Sequence, residues 1–274
     1  MPTLRLIPLL LLLTLFSGCA LLPELIDETK DWSASKLYLE AKESQSNGDY
    51  LTALDYLQKL EARFPFGRYA MQAQLDTAYI HYRNNEPALA IAAADRFIKL
   101  HPMSEFAAYA YYLKGIVNFN RNRGFLDDIF PTDPSQRDPG ATLSSFNDFN
   151  ELIRRFPQSK YAMDARKRMV YLRNNMAKHE IHAADYYMRR GAYLAAANRA
   201  STVVRNFQRS TSVKPALEIM IKAYGKLGLT ELANDTQQVL TMNLNTGRFV
   251  TDEVSKSERS FGRKIWDWLG LDGS

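Results

Sequence analysis

A single register recurs along this chain. Phe64-Pro65, His101-Pro102 and Phe156-Pro157 each close an apolar run of helical spacing, and Phe207-Gln208 does the same without the proline. Seventeen residues before the second member of each pair stand Gly48, Asn85, Gly140 and Gly191. Glycine and asparagine are the residues that most readily adopt a left-handed turn. Five residues after those turns stand Ala53, Ala90, Ser145 and Ala196, and seven before them Ala41, Ala78 and Ala184. In the third unit Gly115 takes the earlier small place, with its own turn expected at Asn122. A fifth unit fits around Gly228, with Ala233 after it and the larger Ile221 before it.

These offsets describe a helical hairpin. Two antiparallel helices approach closely where small side chains face each other, a left-handed residue reverses the chain between them, and a proline ends the second helix. The spacing of 37 residues from Gly48 to Asn85, repeated from Gly191 to Gly228, is close to the tetratricopeptide period of about 34. The chain resembles tetratricopeptide repeats, five of them, over residues 33–245. The expected fold is all-α, a superhelical solenoid of about five hairpins. Sparse glycine and proline (13 and 11 of 274 residues) agree with it. Such a solenoid offers an extended concave surface that binds peptides and protein segments.

Two intervals exceed the period: 55 residues from Asn85 to Gly140 and 51 from Gly140 to Gly191. The first holds a loop insertion at residues 122–139, with three prolines and Asp127, Asp128, Asp133 and Asp138. The second holds a stretch at about residues 160–190 with neither glycine nor proline, which predicts one long helix of about 45 Å.

The N-terminus predicts a destination. Arg5, an apolar run at residues 6–15 and Phe16-Ser17-Gly18 precede Cys19, the only cysteine. That run is too short to span a bilayer, which takes about 20 apolar residues, but it suits a signal peptide, residues 1–18. Small residues directly before a thiol resemble a bacterial lipobox, with Phe16 departing from the usual Leu or Val. The resemblance implies acylation of Cys19 and a lipid-anchored tether at residues 19–32. Ala20, where no aspartate follows the cysteine, resembles lipoproteins sorted to the outer membrane. Several acyl chains hold a domain at a bilayer surface firmly where one does not.

No catalytic constellation accompanies the repeats. The four histidines are His81, His101, His179 and His182; the last two share a helix face but have no accompanying zinc ligands at the required spacing. The Asp127-Asp128-Asp133 cluster lacks the spacing and terminal glutamate of a calcium loop. Neither a phosphate-binding glycine loop nor a Gly-x-Ser-x-Gly elbow occurs. We expect no enzyme, no catalytic residue, no metal and no cofactor. The net charge of +5 is too small and dispersed to indicate nucleic acid. Tyr109, Tyr111, Tyr112, Tyr186 and Tyr187 are expected mainly to pack between repeats.

Arg63-Phe64-Pro65-Phe66-Gly67, Asp95-Arg96-Phe97-Ile98, Arg137-Asp138-Pro139, Ala177-Lys178-His179-Glu180, Tyr186-Tyr187 and Arg190-Gly191-Ala192 occur in this order. With the lipobox and the hairpins, they resemble the BamD (ComL) family of outer-membrane assembly lipoproteins over about residues 36–244. The resemblance implies a scaffold on the periplasmic face of the outer membrane. Its implied partners are a POTRA-bearing, BamA-like barrel protein, other assembly lipoproteins, unfolded barrel proteins, and outer-membrane lipid through acylated Cys19. It places Phe64, Phe66 and Gly67 on the substrate side and Arg199 on the POTRA-partner side. A lipoprotein scaffold for cell-envelope synthesis or secretion is the alternative. The tail, residues 246–274, is longer than the family leads one to expect. It ends in Ile265-Trp266-Asp267-Trp268-Leu269, suited to docking on the solenoid, a partner or lipid, or to capping the last repeat.

Overall fold

The structure, a computed structural model, describes residues 27–121, 133–136 and 139–250. The expected signal peptide, Cys19, most of the insertion with Asn122, and the far tail lie outside the described residues. Among those described there are ten α-helices and no strand. They pair in chain order as α1 (Ala34–Ser46) with α2 (Tyr50–Arg63), α3 (Arg68–Arg83) with α4 (Pro87–Leu100), and α5 (Ala107–Asn120) with α6 (Pro139–Arg155). Then follow α7 (Ala162–Arg189) with α8 (Tyr193–Asn206), and α9 (Val213–Lys226) with α10 (Thr230–Asn245). Each helix packs chiefly on its predecessor and successor. This is the solenoid of five hairpins that the register predicts.

Four of the five reversals are the same structure. Gly48, Asn85, Gly191 and Gly228 have φ of 79°, 58°, 74° and 73°. At each, the following N–H bonds a carbonyl five residues back: Asp49 to Ser44 (2.9 Å), Glu86 to His81 (2.8 Å), Ala192 to Tyr187 (3.0 Å) and Leu229 to Tyr224 (3.0 Å). The bond satisfies carbonyls that a helix end would otherwise leave unpaired. The ends of the second helices repeat too. Phe64, His101, Phe156 and Phe207 donate their N–H to Leu60, Phe97, Leu152 and Val203, four residues back, at 2.8–2.9 Å. Those four acceptor residues are fully buried.

Gly140 departs from the expectation. It lies in the first turn of α6, with no left-handed backbone. Residues 121–138 separate α5 from α6, and position 140 stands inside the helix, where nothing forces a left-handed residue. The close approach survives. A Cβ on Gly115 would meet the Phe149 ring at 2.4 Å, and the Ser145 hydroxyl donates to the Gly115 carbonyl at 2.9 Å.

The core is a chain of local clusters. The first joins Leu37, Ala41, Ala53 and Leu57 to Ala73 and Ile80. The third hairpin is richer in aromatic rings: Tyr112 stacks on Tyr161 at 4.8 Å and lies 6.0 Å from Phe149. The Tyr112 hydroxyl donates to Asp164 (2.8 Å), which also accepts from Arg168 (2.5 Å), and burial pushes the Tyr112 hydroxyl above its ordinary pKa. The long helix α7, 28 residues, serves two clusters. Ala165 and Leu172 pack with α5 and α6, while Ala177, Ile181 and Ala184 pack with α8 and α9. Its length follows from belonging to two neighbouring units. The one described piece of the insertion, a 3₁₀ turn at Pro134–Gln136, sits on α7. Lys178 Nζ donates to Asp133 (2.6 Å), and His179 and His182 meet the Ser135 carbonyl (2.9 Å) and hydroxyl (3.1 Å).

Candidate interaction surface

The junction between the first and second hairpins differs from the others. After the caps His101, Phe156 and Phe207 the next helix starts six residues later, at Ala107, Ala162 and Val213. Each of those junctions holds a serine three residues after the cap: the N–H of Ser104, Ser159 or Ser210 donates back to the cap carbonyl at 2.9–3.1 Å. After Phe64 the next helix starts four residues later, at Arg68. Gly67 takes the serine position, with φ +99°. Nothing stands within 4 Å of a Cβ built on Gly67, so the glycine is required by the backbone and not by space. Phe66 stands free, 89% exposed, as Met103 does at the same place after His101 (93%). Phe64, the cap, is about one third exposed.

Phe66 and Pro65 stand at the edge of a cleft of about 790 Å³ between α2 and α4, floored by α3. Leu54 and Leu100 give it apolar wall, and Leu100 is half-exposed. One of its polar pairs bridges successive repeats and another lies within the second hairpin. Arg96 Nη2 on α4 donates to Glu61 Oε2 on α2 at 3.1 Å, and His101 Nε2 lies 3.2 Å from Gln74 Oε1. Burial pushes the Glu61 carboxyl up, against the pull of Arg96. Such a cleft, with apolar walls, an aromatic at its rim and hydrogen-bonding groups along it, suits an extended polypeptide. Among the described residues no group of three or more His, Cys, Asp or Glu could hold a metal ion.

Of the residues predicted from the sequence, Phe66 lies at the cleft, while Phe64 and Gly67 shape the turn that presents it. Glu61, Gln74 and Arg96 were not foreseen. Their signal is the repeat itself: Glu61 stands 13 residues after Gly48 and Arg96 11 residues after Asn85, almost equivalent places in successive units. Arg199 is far along the solenoid, on α8. It is half-exposed and pairs with Glu180 of α7 at 3.2 Å. The structure therefore does not bring Arg199 and the Phe66 cleft together.

The approach to the first hairpin is fixed. Arg63 donates to the Thr29 carbonyl and to the Asp27 carboxylate, and its Nη2 reaches the Thr29 hydroxyl at 3.0 Å. Lys59 lies 3.7 Å from Asp27. Trp32 lies 5.6 Å from the Tyr56 ring, with Lys36 Nζ over the Trp32 ring, 4.2 Å from its centroid. Residues 27–32 are thus packed along α2, close to the turn that carries Phe66.

Residues 30–240 match the family of outer membrane lipoproteins called YfiO. The chain is 45% identical to the outer membrane protein assembly factor BamD of Neisseria meningitidis serogroup A over 223 residues, 81% of this chain and 84% of that protein. It is 37% identical to that of Vibrio cholerae over 234 residues (85% and 96%), and 34% identical to that of Haemophilus influenzae over 211 (77% and 80%). The chain belongs to the BamD (YfiO) family. The matched residues run from the packed approach at Lys30 to Leu240 on α10, so both the cleft and Arg199 lie inside the family region. Among the described residues no helix is long and apolar enough to cross a membrane.

Proposed function

We propose that this chain is a non-catalytic receptor within the outer-membrane β-barrel assembly machinery, of which it is a lipoprotein component. Acylated Cys19 holds it to the periplasmic face of the outer membrane. Its first two hairpins receive an extended segment of an unfolded barrel protein in the cleft beside Phe66. Its later hairpins dock a POTRA-bearing, BamA-like subunit through the surface around Arg199.

The observation that supports this most is the departure at the first junction. Three junctions share one serine-held turn; the fourth is shorter, and the residue two after its cap, exposed as Met103 is after His101, is an aromatic at the rim of a cleft. An aromatic at the rim of a cleft with apolar walls and hydrogen-bonding groups suits an extended, aromatic-bearing segment. The logic at Arg199 is different. A guanidinium is a fork-shaped partner for carboxylates, and Arg199 already engages Glu180 while keeping half of its surface open to a second acid. Nothing in this scheme asks the protein for covalent chemistry.

Depletion of the protein followed by measurement of folded barrel proteins in the outer membrane tests the role; unchanged barrel levels would refute it. Photocrosslinking from positions 66 and 74 in intact cells tests the cleft. The expected adducts are unfolded barrel proteins, and adducts confined to other envelope proteins would instead favour a scaffold of cell-envelope synthesis or secretion. Arg199→Glu should weaken recovery of the POTRA subunit. Undiminished recovery removes Arg199 from that interface.

A further inference from the structure

The last helix does not end as the other second helices do. α2, α4, α6 and α8 close on Phe64, His101, Phe156 and Phe207 through the four-residue bond described above. α10 closes instead on Gly247, at φ +61°. There Arg248 N–H donates to the Asn243 carbonyl at 3.1 Å and Gly247 N–H to the Leu244 carbonyl at 3.2 Å. This is the bond pair of Gly48, Asn85, Gly191 and Gly228. At each of those the chain turns back along the helix it has just left.

The helix it would turn back along has an open apolar face. Leu232, Val239 and Met242 are 46%, 44% and 62% exposed. At 100° per residue they fall within one third of the helix circumference, beside the face that buries Thr236 and Leu240. Nothing among the described residues covers them.

The sequence after Val250 carries a matching pattern. Phe261, Ile265, Trp268 and Leu269 recur at i, i+4, i+7 and i+8, the spacing of one helical face. In helical form residues 261–269 would rise about 12 Å, against about 15 Å from Leu232 to Met242. The residues between Val250 and Phe261 can span roughly 35 Å, more than the roughly 24 Å length of α10. Charge agrees as well. α10 carries Glu231 and Asp235 and no basic residue, whereas residues 256–264 carry Lys256, Arg259, Arg263 and Lys264 against the single Glu258.

We propose that residues 261–269 fold back as an amphipathic helix on the Leu232–Val239–Met242 face of α10 and cap the solenoid. Stacked repeats need such a cap, because the last unit has no neighbour to bury its outer face. The tail is thus an internal partner of the last hairpin. Its docking does not depend on what the cleft binds.

The test is a double-mutant cycle in the full-length mature chain, pairing Val239→Asp/Met242→Asp with Ile265→Ala/Trp268→Ala. Each pair is expected to lower Tm by about 2–4 °C, and all four together by no more than one pair alone. Strictly additive shifts, or none, overturn the proposal. A second readout uses acrylamide quenching in a Trp266→Phe chain, with the Trp32 contribution removed by subtracting a Trp266→Phe/Trp268→Phe chain. The Trp268 indole, on the docking face, should be protected in buffer and become accessible in Val239→Asp/Met242→Asp. Protection that survives those substitutions places the tail elsewhere. Protection that appears only with anionic phosphatidylglycerol vesicles gives it to the lipid surface. Either result sinks the idea.

Discussion

The two ends of the solenoid are built differently. At the first hairpin, residues 27–32 lie along α2, with Trp32 against Tyr56 and the Arg63 guanidinium gathering Thr29 and Asp27. Leu37, Ala53, Leu57 and Leu60 beneath are fully buried. At the last hairpin the corresponding small positions, Ile221 and Ala233, stay half-buried, and α10 buries only Thr236 and Leu240. A repeat draws stability from its neighbours. The chain before α1 supplies a neighbour at one end, and among the described residues nothing supplies one at the other. The end with a neighbour also carries the exposed Phe66 and the cleft, so the candidate receptor surface rests on the better-supported unit.

The largest effect should come from cutting into each end's core. Leu57→Ala empties a fully enclosed site on α2, and the expected loss is about 2–5 kcal/mol. Leu240→Ala on α10 should fall at or below the bottom of that range, because the site borders solvent and can collapse. Denaturant unfolding of the two variants measures the gap. Equal losses would show the last hairpin to be as enclosed as the first and break the comparison. Comparing both leucine variants in an Ile265→Ala/Trp268→Ala chain then sharpens the contrast, since loss of the cap should lower the Leu240→Ala penalty alone.

Turn chemistry should not distinguish the ends. Gly48 and Gly228 have nearly the same φ and the same hydrogen bonds, and neither faces a steric barrier to a Cβ. Alanine at either should cost about 1 kcal/mol from left-handed backbone strain. A difference of more than about 1 kcal/mol between Gly48→Ala and Gly228→Ala would mean that neighbour contacts, not the local turn, set the cost.

That equality explains which parts of the molecule were legible in the sequence. The reversal residues and the small pairs act locally, over offsets of five and seven residues, so they leave a register that can be counted. Ser145 and Gly115 kept theirs even across the insertion. Gly140 misled because its spacing was preserved while the insertion removed the need for a tight turn. The cleft was illegible for another reason. Glu61 and Arg96 meet across 35 residues, and charged residues on exposed helices are common enough that neither draws notice alone. The Arg63 clamp was hidden in the same way, by a separation of 36 residues from Asp27. The Phe-Pro-Phe-Gly run was visible as a motif, but only comparison of four junctions shows that it shortens the turn that carries Phe66.

Arg63→Ala should release the approach to α1 at a cost of about 1 kcal/mol, the worth of hydrogen bonds at a partly exposed site. Hydrogen exchange at residues 29–33 should quicken while α9 and α10 stay unchanged. A uniform increase along the chain would instead mean that the clamp supports the whole first hairpin.

Acid should loosen the same clamp with the smallest effect of the set. The Thr29 hydroxyl holds the Asp27 carboxyl below its ordinary pKa of 3.8, with Arg63 and Lys59 reinforcing it. A carboxylate whose folded pKa is depressed contributes stability above its unfolded pKa and loses it as pH falls toward the folded value. The clamp is therefore intact at neutral pH and weakens below about pH 4, the ordinary carboxylate range. In a Trp266→Phe/Trp268→Phe chain, Trp32 is the single indole and reports on this segment alone. Its accessibility to acrylamide should rise on acidification before helicity falls. Asp27→Asn should already show the raised accessibility at pH 7 and respond little to acid. If Asp27→Asn responds to acid as the unsubstituted chain does, another carboxylate governs the release, and the first hairpin's end is held by Trp32 packing rather than by charge.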